Sequence, residues 1–213
     1  MWEFIEDRRV QLLINAWNHA YLVVLAIVFA TVIAVAIAMV VTRMPRLEPA
    51  VNALSAVGLT IPSFALIGLL LPVTGLGPPT ALIAVTFYAA LPILRNAIVG
   101  LAGVDPNLVE SARGMGMSEL ASMVRIRLPL AWPVILAGIR VSMQMSMGIA
   151  AIAAYVLGPG LGAGIFTGLA QIGGKTATES ALVGTLGIVL IALVLDLLLL
   201  VLGRVTTSKG IRV

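Results

Sequence analysis

The sequence contains no cysteine and a single histidine, His19. Neither a disulfide framework nor a thiolate metal site is therefore open to it, and a multi-histidine site is excluded by count. Charge is scarce as well: 10% of the 213 residues are charged, 61% are hydrophobic, and the mean hydropathy is +1.13. Soluble domains carry about 25% charged residues, so this chain cannot cover a water-facing surface. A net charge of +4 does not indicate nucleic acid, because the basic residues are scattered at the ends of apolar runs instead of forming a stripe. Gly173, Gly174, Lys175 and Thr176 resemble the end of a phosphate-binding loop, but the required earlier glycine is out of register, with Leu at 169 and Gly at 168. No cleavable signal peptide is expected: the N-terminal residues mix acids and bases, and the apolar run that follows exceeds the usual 7–15 residues.

What is present is a series of long apolar runs. Crossing the hydrocarbon core takes about 20 mostly apolar residues, and such runs lie near 20–42, 52–73, 80–100, 130–157 and 181–203. The sequence thus predicts an all-α integral membrane protein of five spans, preceded by an interfacial helix over residues 1–18. The membrane-spanning body would occupy 19–213. Lys and Arg counting sets the orientation. Arg43, Arg46, Arg113, Arg125, Arg127, Arg204, Lys209 and Arg212 fall on one side, against Arg8, Arg9 and Lys175 on the other. The N-terminus is then outside and the C-terminus cytoplasmic. In the fourth span Gly138, Ser142, Ser146, Ala150 and Ala154 recur every four residues, a stripe that lets another helix approach closely. Pro62, Pro92 and Pro133, with Gly58 and Gly68, mark sites where spans can kink.

The loop 101–129 is too ordered for a linker. Asp105 can cap a helix whose first residue is Pro106. Leu108, Ala112 and Met115 fall on one helical face, Gly114 and Gly116 end it, and Ser118 can cap a second helix with Leu120, Ala121 and Val124 on its apolar side. Within this loop Glu110, Ser111, Ala112, Gly116, Ile126, Leu128 and Pro129 resemble, in spacing and residue type, the EAA motif of ABC importer permeases. Ser111 stands where that family usually has Ala. IPSFALIGLLLP (61–72), YAALPILRNAIVGL (88–101), AGIR (137–140) and YVLGPGLGAGIFTGL (155–169) are similar to the permeases of osmoprotectant importers, with Pro159 a small departure. The methionine importer permease is the nearest alternative, and the LPILRN run argues against it. A passive channel or membrane scaffold would have no use for such a loop.

The resemblance implies a type I importer core in a bacterial inner membrane, without covalent chemistry or a cofactor of its own. It also implies a separate ATP-binding subunit docked on the coupling loop, an extracytoplasmic solute-binding protein and a second permease, identical or homologous. The solutes would be compatible solutes: glycine betaine, choline, carnitine or proline-type. Arg95, Arg140 and Asp196, with Asn96 and Gln144, lie inside spans; at 1.5 Å per residue the three charges sit roughly 8–15 Å from the cytoplasmic ends. A lone charge there is costly, and two readings stand side by side: an ion pair, with Arg140 before Arg95 as the partner of Asp196, or a wall of the solute path. Phe64, Tyr88 and Tyr155, with Phe87 and Phe166, are the aromatic candidates for that path; each also reads as ordinary packing.

Overall fold

The computed structural model describes residues 1–207, so Lys209 and Arg212 of the charge count lie outside the described residues. Every regular element among them is helical. In chain order they are α1 (Trp2–Asp7), α2 (Arg9–Val41), α3 (Glu48–Thr60), α4 (Ser63–Thr74), α5 (Pro78–Ala102), α6 (Pro106–Gly114), α7 (Glu119–Ser122), α8 (Leu128–Ala153), α9 (Gly162–Ala170) and α10 (Ala177–Thr206). Four stretches are long and apolar enough to cross a membrane: α2, α5, the run from α7 through α8 to Val156, and α10. The expected second span differs. Its two halves, α3 and α4, meet at a bend of 95°, so the fifth crossing, if it is one, is a broken one.

The N-terminal region also divides differently from the expectation of one interfacial helix over residues 1–18. α1 stops at Asp7, and residues 9–18 run without a break into α2. At 33 residues α2 is about 50 Å long, well beyond a hydrocarbon core of about 30 Å. Its first turns, carrying Arg9, Gln11, Asn15 and Asn18, are the polar excess.

α5 is the central post, packed against α2, α8, α3 and α4. Small residues make these contacts close. On α2, Ala26, Ala30, Ala34 and Ala38 are all fully buried, a second four-residue stripe beside the one on α8. On α8, Gly138, Ser142, Ser146 and Ala150 are buried as the sequence suggested. A Cβ on Gly138 would lie 2.7 Å from the Cβ of Asn96 on α5, so this crossing admits only glycine without a shift. Ser142 donates to the Ala89 carbonyl at 2.7 Å, a direct hydrogen bond from α8 to α5.

The bend between α3 and α4 has a local cause and a distant support. Pro62 has no N–H to continue the helix, and its ring pushes Ile61 into extended conformation (φ −64°, ψ 125°). The carbonyls at the end of α3 then need other donors. Thr60 Oγ1 donates to the Val57 carbonyl at 2.7 Å. The Ile61 carbonyl accepts from the hydroxyl of Tyr88 on α5 at 2.6 Å. Tyr88, only 4% exposed, is therefore a bolt between the post and the break. Tyr88→Phe keeps the ring and strands that carbonyl, a loss of about 1–3 kcal/mol. A thermal midpoint several degrees lower is expected in detergent; an unchanged midpoint would remove Tyr88 from this role.

Candidate coupling loop and solute path

The loop between α5 and α8 is a compact two-helix knob built by local chemistry. Asp105 Oδ1 accepts from the Asn107 N–H at 2.9 Å, and Pro106 follows as a first helical residue that has no N–H to leave unpaired. α6 closes at its other end by a Schellman arrangement. The Met117 N–H donates to the Ala112 carbonyl at 3.0 Å and the Gly116 N–H to the Arg113 carbonyl at 2.9 Å. Gly116 takes φ +83°, a left-handed conformation that glycine alone adopts without strain. Ser118 Oγ then caps α7 from the Ala121 N–H at 3.2 Å.

The knob faces differ from the amphipathic reading of the sequence. Val109 and Ala112 point inward, with Ser122 and Met123 behind them. Leu108, Met115, Leu120 and Val124, grouped by spacing on the apolar faces, are exposed, Met115 by 72%, while Ala112 of the same set is buried. Glu110, Ser111 and Arg113 are exposed beside them. The knob therefore turns four apolar side chains outward and keeps Val109, Ala112, Ser122 and Met123 for its own packing.

Beyond α7 the chain widens into a π-helical turn over Met123–Arg127, where the Leu128 N–H bonds the Met123 carbonyl five residues back. Pro129, at the start of α8, has no N–H to offer Arg125, and a π-turn is the usual way a helix absorbs such a gap. Ile126 and Leu128 are half-buried there, whereas Pro129 is exposed. The knob thus joins α8 by continuous helix. Two further contacts gather chain ends at this end of the bundle. Arg43, just past α2, lies 4.0 Å from the Glu119 carboxylate, and Trp132 Nε1 donates to Thr206 Oγ1 at the end of α10 at 2.7 Å.

Among the intramembrane polar groups, the structure brings Arg140 and Asp196 together. Arg140 Nε donates to Asp196 Oδ1 at 2.9 Å and a terminal nitrogen to Oδ2 at 2.8 Å, the bidentate fork for which arginine is suited. Gln144, one turn along α8, faces the same carboxylate. Arg95 does not join them: it is exposed on α5 and forms no ion pair among the described residues. Asn96 is half-buried, its amide donating to the Pro92 carbonyl at 2.9 Å and its Cβ lying against Gly138.

The aromatic candidates separate into two groups. Phe87 and Tyr88 pair on α5, ring centroids 5.4 Å apart, and Tyr88 belongs to the bend described above. Phe64, Tyr155 and Phe166 form a three-ring cluster, with centroids 5.5 to 6.4 Å apart. Tyr155 and Phe166 share the 155–169 stretch but Phe64 is distant in sequence, and spacing alone gave no sign of the convergence.

Residues 26–207 match the family described as binding-protein-dependent transport system inner membrane component. The whole chain is 34% identical over 212 residues, 96% of the relative's length, to the glycine betaine/carnitine/choline transport system permease protein OpuCB of Bacillus subtilis. It is 37% identical over 201 residues, 92% of each chain, to the osmoprotectant import permease protein OsmW of Salmonella typhimurium. Among solved structures, the MetNI methionine ABC transporter in an inward-facing conformation gives a TM-score of 0.79 at 21% identity, covering 95% of this chain and 99% of that one; at that identity the likeness is one of fold. Helices suited to crossing a membrane, the knob with its EAA-like residues and the extent of these matches agree: the chain belongs to the binding-protein-dependent transport system inner membrane components, the multi-pass permeases of ABC importers.

Proposed function

We propose that this permease carries compatible solutes with quaternary or proline-type ammonium groups, driven by a separate ATP-binding subunit seated on the 105–122 knob. The knob carries the reading. Four exposed apolar side chains on and just beyond two short capped helices suit a groove in a protein partner, an established recognition mode, and Glu110 beside them can pair with a cation of that partner. The solute class comes from relatives whose names give glycine betaine, choline and carnitine. A methionine permease is the second reading, favoured by the fold neighbour; uptake measured across a panel of methionine and betaine-type solutes separates the two.

In this reading the N-terminus is outside and the knob cytoplasmic. The clustering of Arg43, the knob and Thr206 at one end of the bundle supports placing the charge-rich loops on one side. A single copy has few helices to enclose a path, so two permeases face each other, each over one ATPase. An extracytoplasmic binding protein delivers solute to the opposite end. Closure of the ATPases draws the two knobs together. Because each knob continues into α8, that movement rocks the spans as rigid bodies between inward and outward access. The Arg140–Asp196 pair ties α10 to the moving α8 and is assigned to cohesion, not to solute contact.

Two outcomes are expected. Glu110→Lys, at an exposed position, and Gly116→Trp, which forces a side chain onto φ +83°, leave the spans folded but uncouple uptake from ATP hydrolysis. Normal uptake together with normal ATPase stimulation in both variants contradicts the docking role. Asp196→Asn leaves Arg140 without its counter-charge and destabilises the α8–α10 contact, read as a lower thermal midpoint in detergent; the double exchange Asp196→Arg with Arg140→Asp recovers part of the loss. Full stability with abolished uptake in Asp196→Asn moves the carboxylate into the solute path instead.

A further inference from the structure

The Phe64, Tyr155 and Phe166 cluster has an arrangement that neither core packing nor membrane anchoring explains. A packed core would bury the rings, yet Tyr155 is 66% and Phe64 48% exposed. Interfacial anchors stand singly, as do exposed Trp2, Trp17 and Tyr21, which have no ring partner among the described contacts. The three clustered rings meet edge-on, at interplanar angles of 78° and 84° for the two pairs made by Phe64 and 57° for Tyr155 with Phe166.

Their backbone setting is also unusual for a lipid-facing surface. Phe64 is the second residue after Pro62 at the 95° bend. Tyr155 lies in a 3-10 turn past the end of α8, followed by Leu157 at φ +63° and Gly160 at φ +128°. Phe166 lies on α9, which follows that irregular stretch. Non-helical backbone at membrane depth is tolerated where protein packs on it or where it lines a watery cavity. About 40 Å of α8 separates Tyr155 from the coupling loop, so the cluster sits at the end of the bundle opposite the knob.

We propose that Phe64, Tyr155 and Phe166 form a π-faced station that receives the quaternary ammonium group of the solute at the outer mouth of the path. Rings this close touch one another, so the cation does not enter the triangle; it rests over the outward ring surface, within about 6 Å of a centroid. A trimethylammonium group suits such a surface because its charge is diffuse and its methyl groups are apolar. Any carboxylate of the solute stays in water. The proposal rests on the functional reading above and deepens it by naming the residues that select for the cation.

Binding of radiolabelled choline to the purified permease–ATPase complex, without binding protein, tests it directly. Stepwise fluorination of the phenylalanine rings at 64 and 166 withdraws π-density while keeping their shape, and the choline dissociation constant is expected to rise with each fluorine. Tyr155→Leu and Phe64→Leu raise it about threefold to thirtyfold, whereas Tyr155→Phe, which retains a ring, leaves it nearly unchanged. The neutral isostere 3,3-dimethylbutan-1-ol competes poorly with choline. No binding by the wild-type complex, or no response to fluorination, or equal competition by the neutral alcohol overturns the station. Uptake by the complete wild-type system is measured in parallel. Uptake of choline or glycine betaine alongside any of those results overturns the station alone, while failure to take up any quaternary ammonium solute overturns the functional reading and the station with it.

Discussion

A hydrocarbon medium offers no water to a stranded carbonyl or charge, and the polar contacts of this fold follow from that constraint. The bend at Ile61–Pro62 is tolerable because Tyr88, from a different helix, satisfies the Ile61 carbonyl. Asp196 is tolerable in α10 because Arg140 meets both of its oxygens. The same demand explains why α5 is central. It supplies the Tyr88 donor, accepts from Ser142 of α8 at the Ala89 carbonyl, and contributes Asn96 against Gly138. Each of these bonds joins two elements, so each places one span relative to another.

Apolar burial cannot do that placing by itself, since lipid is as apolar as leucine. Close approach has to come from small side chains and from shape. The alanine row of α2 and the Gly138–Ala150 row of α8 flank the α5 post on two sides. α10 has a shorter row, Ala177, Ser180 and Gly184, packed against α9, and the rest of its apolar length is almost wholly exposed. Its ties to α8 include two polar ones, the Arg140 fork in its middle and the Trp132 bond near its end.

Locally determined structure was readable from the sequence. Asp105, Pro106, Gly116 and Ser118 act through their own neighbours, so the knob and its caps could be placed without knowing the fold. The long apolar runs marked their spans for the same reason. The pairing of Asp196 was foreseeable from depth alone, because few partners share its level. What escaped depends on distant contacts. Pro62 signalled a kink, but a 95° break needs a donor 27 residues away, and Tyr88 was read as a path residue. Leu108 and Met115 face outward while Ala112, grouped with them by spacing, is buried, because which side of a short helix meets the bundle depends on the elements packed against it. The alanine row on α2 was visible at its spacing and was overlooked because alanine carries little weight in an apolar run. The meeting of Phe64, Tyr155 and Phe166 had no periodic signal at all.

Function in this reading depends on the knob and the aromatic mouth being on opposite sides of the membrane, with α8 joining them. The chain's lack of cysteine permits a direct measurement. Met115→Cys on the knob and Thr178→Cys near the start of α10, both exposed positions, are each exposed to an impermeant thiol reagent in right-side-out membrane vesicles. Labelling at 178 with protection at 115 is the expected result, and permeabilising the vesicles should then expose both. Protection at 178 with labelling at 115 would place the knob outside, beyond the reach of any cytoplasmic ATPase, and contradict the assignment.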